Sequence, residues 1–168
     1  AAMSGLRLDP EGGALYGTYK GYGVAVLAPN PSYPYQMCAV FSASRPDGPL
    51  TKEECKQFLK EHKAAADLSQ NGWQITMIIR GGMGQKHLRE NFVQSLEDTT
   101  AYLRGAGFTD CCQSCGKVTE TDPCCVAGAY EHLCPDCYAA LQQSRNQESM
   151  RQAGKGENIT GGLVGALL

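Results

Sequence analysis

The residues best equipped for chemistry are four cysteines in two Cys-x-x-Cys pairs, Cys112-Gln113-Ser114-Cys115 and Cys134-Pro135-Asp136-Cys137, with eighteen residues between the inner cysteines. Each pair is a tight turn whose two sulfurs point the same way, so the two pairs can close four thiolates around one tetrahedral Zn²⁺. Two disulfides could use the same residues. Against them stand the close spacing and a chain that opens without a signal-peptide pattern, which reads as a reducing compartment. A site filled by Cys112, Cys115, Cys134 and Cys137 leaves no open coordination position, so the expected metal is structural, one Zn²⁺ per chain. Such an ion replaces a hydrophobic core that so short a segment cannot build alone.

Cys111, Cys124 and Cys125 lie beside these ligands, and with His132 they are candidates for a second metal site or for thiol redox chemistry. Cys38 and Cys55 have no partner at ligand spacing and read as small buried hydrophobes. A glycine loop, Gly81-Gly82-Met83-Gly84, stands between an expected strand and an expected helix. There it could cradle a phosphate on free amides at the helix start, with Arg80 or His87 lining the pocket. It lacks both the Gly-x-Gly-x-x-Gly order and a Gly-Lys-Ser/Thr ending, so a flexible turn is the plainer reading. His62 lies among Lys60, Glu61 and Lys63 and reads as part of a solvated face. A catalytic arrangement would have to draw on His62, His87 and scattered acids, and no nucleophile–base spacing is legible. The tyrosines Tyr16, Tyr19, Tyr22, Tyr33 and Tyr35 could form a base-stacking platform, but without a basic surround they are expected to pack in strands.

Cys112-x-x-Cys115-Gly116-Lys117, followed by Val126-Ala127-Gly128 and then Leu133-Cys134-Pro135-Asp136-Cys137, resembles the zinc-binding domain of the bacterial Clp unfoldase. The resemblance covers residues 112–141 and implies a small treble clef that dimerises and recruits substrates or adaptors. No Walker loop occurs in the chain, so it implies a binding role and no unfoldase activity.

The elements that must position these cysteines are read from patterning. Residues 1–13 carry Gly and Pro without periodicity and are expected to be a loose tail, with Ala1-Ala2 an addition ahead of Met3. Strands are expected near Tyr16 to Tyr19, Gly23 to Leu27 and Tyr35 to Ser42, the prolines at 29, 31 and 34 forcing a turn. Thr51-Lys52-Glu53-Glu54 is a capping box, predicting a helix to about Ala65 with Cys55, Phe58 and Leu59 on its buried side. Trp73, Ile75, Met77 and Ile79 alternate with polar residues as a strand's core face. A helix over about Lys86 to Arg104 carries Leu88, Phe92, Leu96 and Leu103 on one face and stops at Gly105 and Gly107. The fold class is therefore α+β: a small antiparallel sheet covered by two helices over 14–107, then a treble-clef or zinc-ribbon-like four-cysteine module over 108–145. Cys134-Pro-Asp-Cys137 runs directly into the helix-forming Tyr138 to Gln143, and Asp136 suits the positive end of that helix.

Residues 146–158 read as a polar linker or a solvated helix extension, and Ile159 to Leu168 is uncharged, small and apolar. Ten such residues do not span a bilayer, but Gly161-Gly162-x-x-Gly165 has the spacing that packs membrane helices, so this stretch is read as the start of a transmembrane helix. Head and tail together loosely resemble bacterial membrane proteins with a cytoplasmic zinc-ribbon-like head, which implies cytoplasmic placement. With 42% hydrophobic and 19% charged residues and a formal net charge of -2, the chain has the composition of a soluble globular protein and lacks a nucleic-acid binder's basic balance. The expected function is a non-catalytic, zinc-stabilised module that binds a protein partner or a second copy. The alternatives left open are a nucleic-acid-binding zinc protein, a nucleotide-binding enzyme using the glycine loop, and a zinc-linked thiol redox sensor.

Overall fold

The computed structural model describes residues 5–9, 14–27, 36–80, 85–126 and 129–161. Its contacts divide the chain into two units, Ala1–Cys134 and Pro135–Leu168. The first unit holds a six-stranded antiparallel sheet in the order β1-β2-β3-β4-β6-β5, built from β1 (Leu6–Leu8), β2 (Leu15–Tyr19), β3 (Tyr22–Leu27), β4 (Met37–Ser42), β5 (Ala65–Asn71) and β6 (Gln74–Ile79). It also holds helices α1 (Lys52–Glu61) and α2 (Gln85–Gly105) and a separate two-stranded hairpin of β7 (Asp122–Val126) and β8 (Ala129–Leu133). The second unit is the helix α3 (Pro135–Gly161).

Turn chemistry sets the register. Lys20 and Gly21 both take positive φ, 46° and 87°, the conformation a two-residue hairpin between β2 and β3 requires. Gly72, at φ 59°, opens the turn that joins β5 to β6. One face of the sheet, carrying Tyr19, Tyr22, Val24, Val26, Ala39, Phe41, Ile75, Met77 and Ile79, is buried against Phe58 of α1 and Phe92, Leu96 and Leu103 of α2. The sheet is thus α+β with both of these helices on one side, as the patterning implied. Thr51 and Glu54 form the capping box at the start of α1, and Arg45 clamps Glu54 with two charge-assisted hydrogen bonds of 2.9 and 2.7 Å.

Three elements differ from expectation. The stretch read as a loose tail contributes β1, whose residues pair with β2 from Leu6↔Gly17 to Leu8↔Leu15. α1 ends at Glu61 instead of Ala65, and the residues after it form β5. Trp73 does not belong to the core face of β6; it sits in the turn before it and is 39% exposed. Of the two readings of residues 146–158, linker or helix extension, the second holds: they continue α3, with 146–154 exposed. Gly81, Gly82 and Gly84, and the tail from 162 to 168, lie outside the described residues. Among the described residues no helix is long and apolar enough to cross a membrane.

Candidate metal centre

The first cysteine pair lies on a knuckle that its own backbone closes. Cys112 donates its N–H to Lys117 O at 2.9 Å, and Gly116 donates back to Cys112 O at 2.9 Å. Gly116 takes φ +74°, a conformation that L side chains rarely adopt. It also lies against the indole of Trp73, so closely that a Cβ there would meet Trp73 Nε1 and Cζ2 at 2.6 Å. Gly116 therefore has two reasons to be glycine.

The second pair is delivered by the hairpin. β7 and β8 pair from Asp122↔Leu133 to Val126↔Ala129, and β8 runs straight into Cys134 and the start of α3. Knuckle and hairpin are clasped: Gln113 N–H donates to His132 O at 2.9 Å, and His132 N–H donates to Gln113 Oε1 at 2.8 Å. The hairpin in turn lies on the sheet face opposite the helices. Tyr130 stacks on Tyr16 of β2 with centroids 3.9 Å apart and rings 6° from parallel. His132 is fully buried and its Nε2 lies 3.2 Å from Val24 O. A carbonyl only accepts, so Nε2 carries the proton, and burial lowers the imidazole pKa and keeps it neutral. Gly23 makes room for this ring, since a Cβ there would meet His132 Cγ and Nδ1 at 2.5 Å.

Asp110 fastens the segment ahead of the knuckle. Its carboxylate accepts from Gly23 N–H at 3.0 Å, Ser42 Oγ at 2.8 Å and Thr121 Oγ1 at 3.0 Å. The outcome is that the sulfurs of Cys112, Cys115, Cys134 and Cys137 all lie within 4.8 Å of one another. Cys115 Sγ and Cys134 Sγ are 3.8 Å apart. Tetrahedral coordination with Zn–S near 2.3 Å requires sulfur–sulfur separations of about 3.8 Å, so the donor set fits such an ion. Burial opposes ionisation of Cys112. The backbone N–H groups of Cys134, Cys115 and Ser114, together with the Cys115 thiol, outweigh it and bring Cys112 down to about 7. Four cysteines are thus gathered that could hold a metal ion.

The second candidate set is not gathered. Among the described residues the four-cysteine cluster is the only group of three or more His, Cys, Asp or Glu side chains that could hold an ion. Cys124 and Cys125 are neighbours on one strand, so their side chains leave it on opposite faces, one buried and one exposed. Cys111 is buried beneath Ser44, and desolvation pushes its thiol up to about 11. The His132 nitrogen nearest a partner is already occupied by Val24 O. His62 lies beside Asp98 of α2 at 3.3 Å, whereas His87 sits against Glu90 on its own helix. A shallow groove beside Trp73 is lined by Ser44, Arg45, Gly48, Pro49 and Gln70, but the Arg45 guanidinium there already serves Glu54 and the carbonyls of Gly48, Pro49 and Ala106. It offers no free charge to an anion.

Gln113, Trp73 and Asp110 were invisible as site-building residues in the sequence, whereas Gly116 stood in the quoted Cys-x-x-Cys-Gly-Lys motif but its contact with Trp73 did not show there. Only Asn71-Gly72, a turn signal immediately before Trp73, could have moved the tryptophan out of the strand. Fold and site together define an α+β protein with a four-cysteine cluster. No protein family, curated protein or solved structure matches this chain.

Proposed function

We propose that Cys112, Cys115, Cys134 and Cys137 bind one structural Zn²⁺, and that the knuckle, the β7–β8 hairpin and the start of α3 make up a treble clef whose role is to bind another protein or a second copy of the chain. The observation that carries this reading is the convergence of four sulfurs within 4.8 Å, with Cys115 and Cys134 at the 3.8 Å a tetrahedral thiolate site needs. Four sulfur ligands leave no position for water or substrate, which supports a structural ion and a non-catalytic module. The likeness of residues 112–141 to the Clp unfoldase's zinc-binding domain supports the interaction role. The apolar residues from Ile159 onward support placement as the cytoplasmic head of a bacterial membrane protein.

Elemental analysis of protein purified without chelator tests the metal reading, with about one zinc per chain expected from a single four-thiolate site. A Cys112→Ser, Cys115→Ser double variant should lose it. Metal-free protein from zinc-replete expression would overturn the reading. Light scattering of zinc-loaded against chelated protein tests self-association: a mass that falls on chelation supports a second copy as the partner.

A further inference from the structure

The four sulfurs are not equally placed. Cys112 and Cys134 are buried, Cys137 is intermediate and Cys115 is exposed. Cys115 therefore offers the sulfur that a dissolved oxidant meets first, and the Cys134 sulfur is 3.8 Å away. Closing that gap to a disulfide needs a shift of about 2 Å, within the reach of side-chain rotation and a small movement of the knuckle.

Resting on the zinc reading above, we propose that this centre is a peroxide-sensitive thiol switch whose working pair is Cys115 and Cys134. The Cys115 thiolate attacks a hydroperoxide, breaking its O–O bond; the sulfur becomes a sulfenic acid and the leaving oxygen departs as hydroxide or alkoxide. The Cys134 thiolate then attacks the sulfenic sulfur, forming the S–S bond and expelling hydroxide. Two thiolates together give two electrons to the peroxide, and two protons from solvent neutralise the oxygen products. With Cys115 and Cys134 joined, only Cys112 and Cys137 would remain as donors, too few to hold a structural Zn²⁺. Released, the knuckle no longer presses Gly116 against Trp73, and the surface it shares with the hairpin loosens. The vicinal Cys124-Cys125 pair is not part of this chemistry, because its side chains diverge across the strand.

The test uses zinc-loaded full-length protein titrated with hydrogen peroxide. Zinc release is followed with a colorimetric chelator, and disulfides are mapped by peptide mass spectrometry. The expected result is release in step with a Cys115–Cys134 link, reversed by dithiothreitol plus zinc. Cys125→Ser, which removes the exposed cysteine of β7, should release zinc at the wild-type rate. Cys115→Ser, if it still loads zinc, should slow release by about tenfold or more, since the remaining ligands are less accessible. Zinc that stays bound while Cys125 oxidises, or zinc released with a different disulfide, overturns the proposal even if Cys115→Ser does not fold. Protein that carries no zinc before peroxide is added overturns the metal reading beneath it, a separate failure.

Discussion

Arg45 and Glu54 show how much one side chain can be asked to hold. Hydrogen bonds from Arg45 first, and then the backbone N–H of Thr51, hold the Glu54 carboxyl at about 2, well below its ordinary 4.5. A carboxyl whose folded pKa is depressed stabilises the fold above its unfolded value and loses that contribution as pH falls toward the folded one. Glu54→Gln should therefore cost about 1–2 kcal/mol at neutral pH, with the gap to wild type narrowing between pH 4.5 and about 2, measured by urea denaturation across pH. The glycines act oppositely, by what they lack. Gly23→Ala drives a methyl into the buried His132 ring and should cost about 2–3 kcal/mol by the same assay, because neither the ring nor the strand can give way. The clustering of Cys112, Cys115, Cys134 and Cys137 was readable because spacing alone encodes it. The contacts that build its surroundings were not, since nothing in the sequence pairs Gly116 with a tryptophan 43 positions earlier.

β5 explains where element-level reading failed. Ala65 and Leu68 are its buried residues, three apart, because a bulge between Ala65 and Asp67 absorbs one residue and breaks the two-residue alternation. With Ala, Asp, Ser, Gln and Asn filling the rest, neither period nor propensity marked a strand, and pairing with β6 decided it. Leu68→Ala should lose about 2–4 kcal/mol, the cost of a core cavity, as measured by thermal or chemical unfolding. By contrast β6, α1 and α2 were legible, since each carries an uninterrupted period and α1 a complete cap. α3 lies at the other extreme. Its 27 residues extend about 40 Å, and Met150 is 76% exposed. Met150→Gln should leave the melting temperature of the isolated protein unchanged within error.

At the scale of the molecule, the hairpin is tied to the sheet by the Tyr16–Tyr130 stack, the His132–Val24 contact and the three bonds to Asp110. The zinc module expected to begin at residue 108 therefore shares one compact unit with the sheet, up to Cys134. Removing the proposed ion should accordingly loosen more than the knuckle. Hydrogen exchange on chelated protein should show protection lost first in β7 and β8 and then at Gly23 and Val24 of β3, while β5 and β6 keep theirs. Loss confined to residues 112–137 would show that the ion stabilises only its own loop.

The contact of Trp73 with Gly116 has one more consequence. The chain contains a single tryptophan, and it rests on the loop that carries two of the four thiolates. Its ultraviolet emission is therefore a label already installed beside the four-cysteine cluster, free of background from other indoles. Colour and intensity of that light should follow occupancy of the site in real time, in a cuvette, with no dye attached.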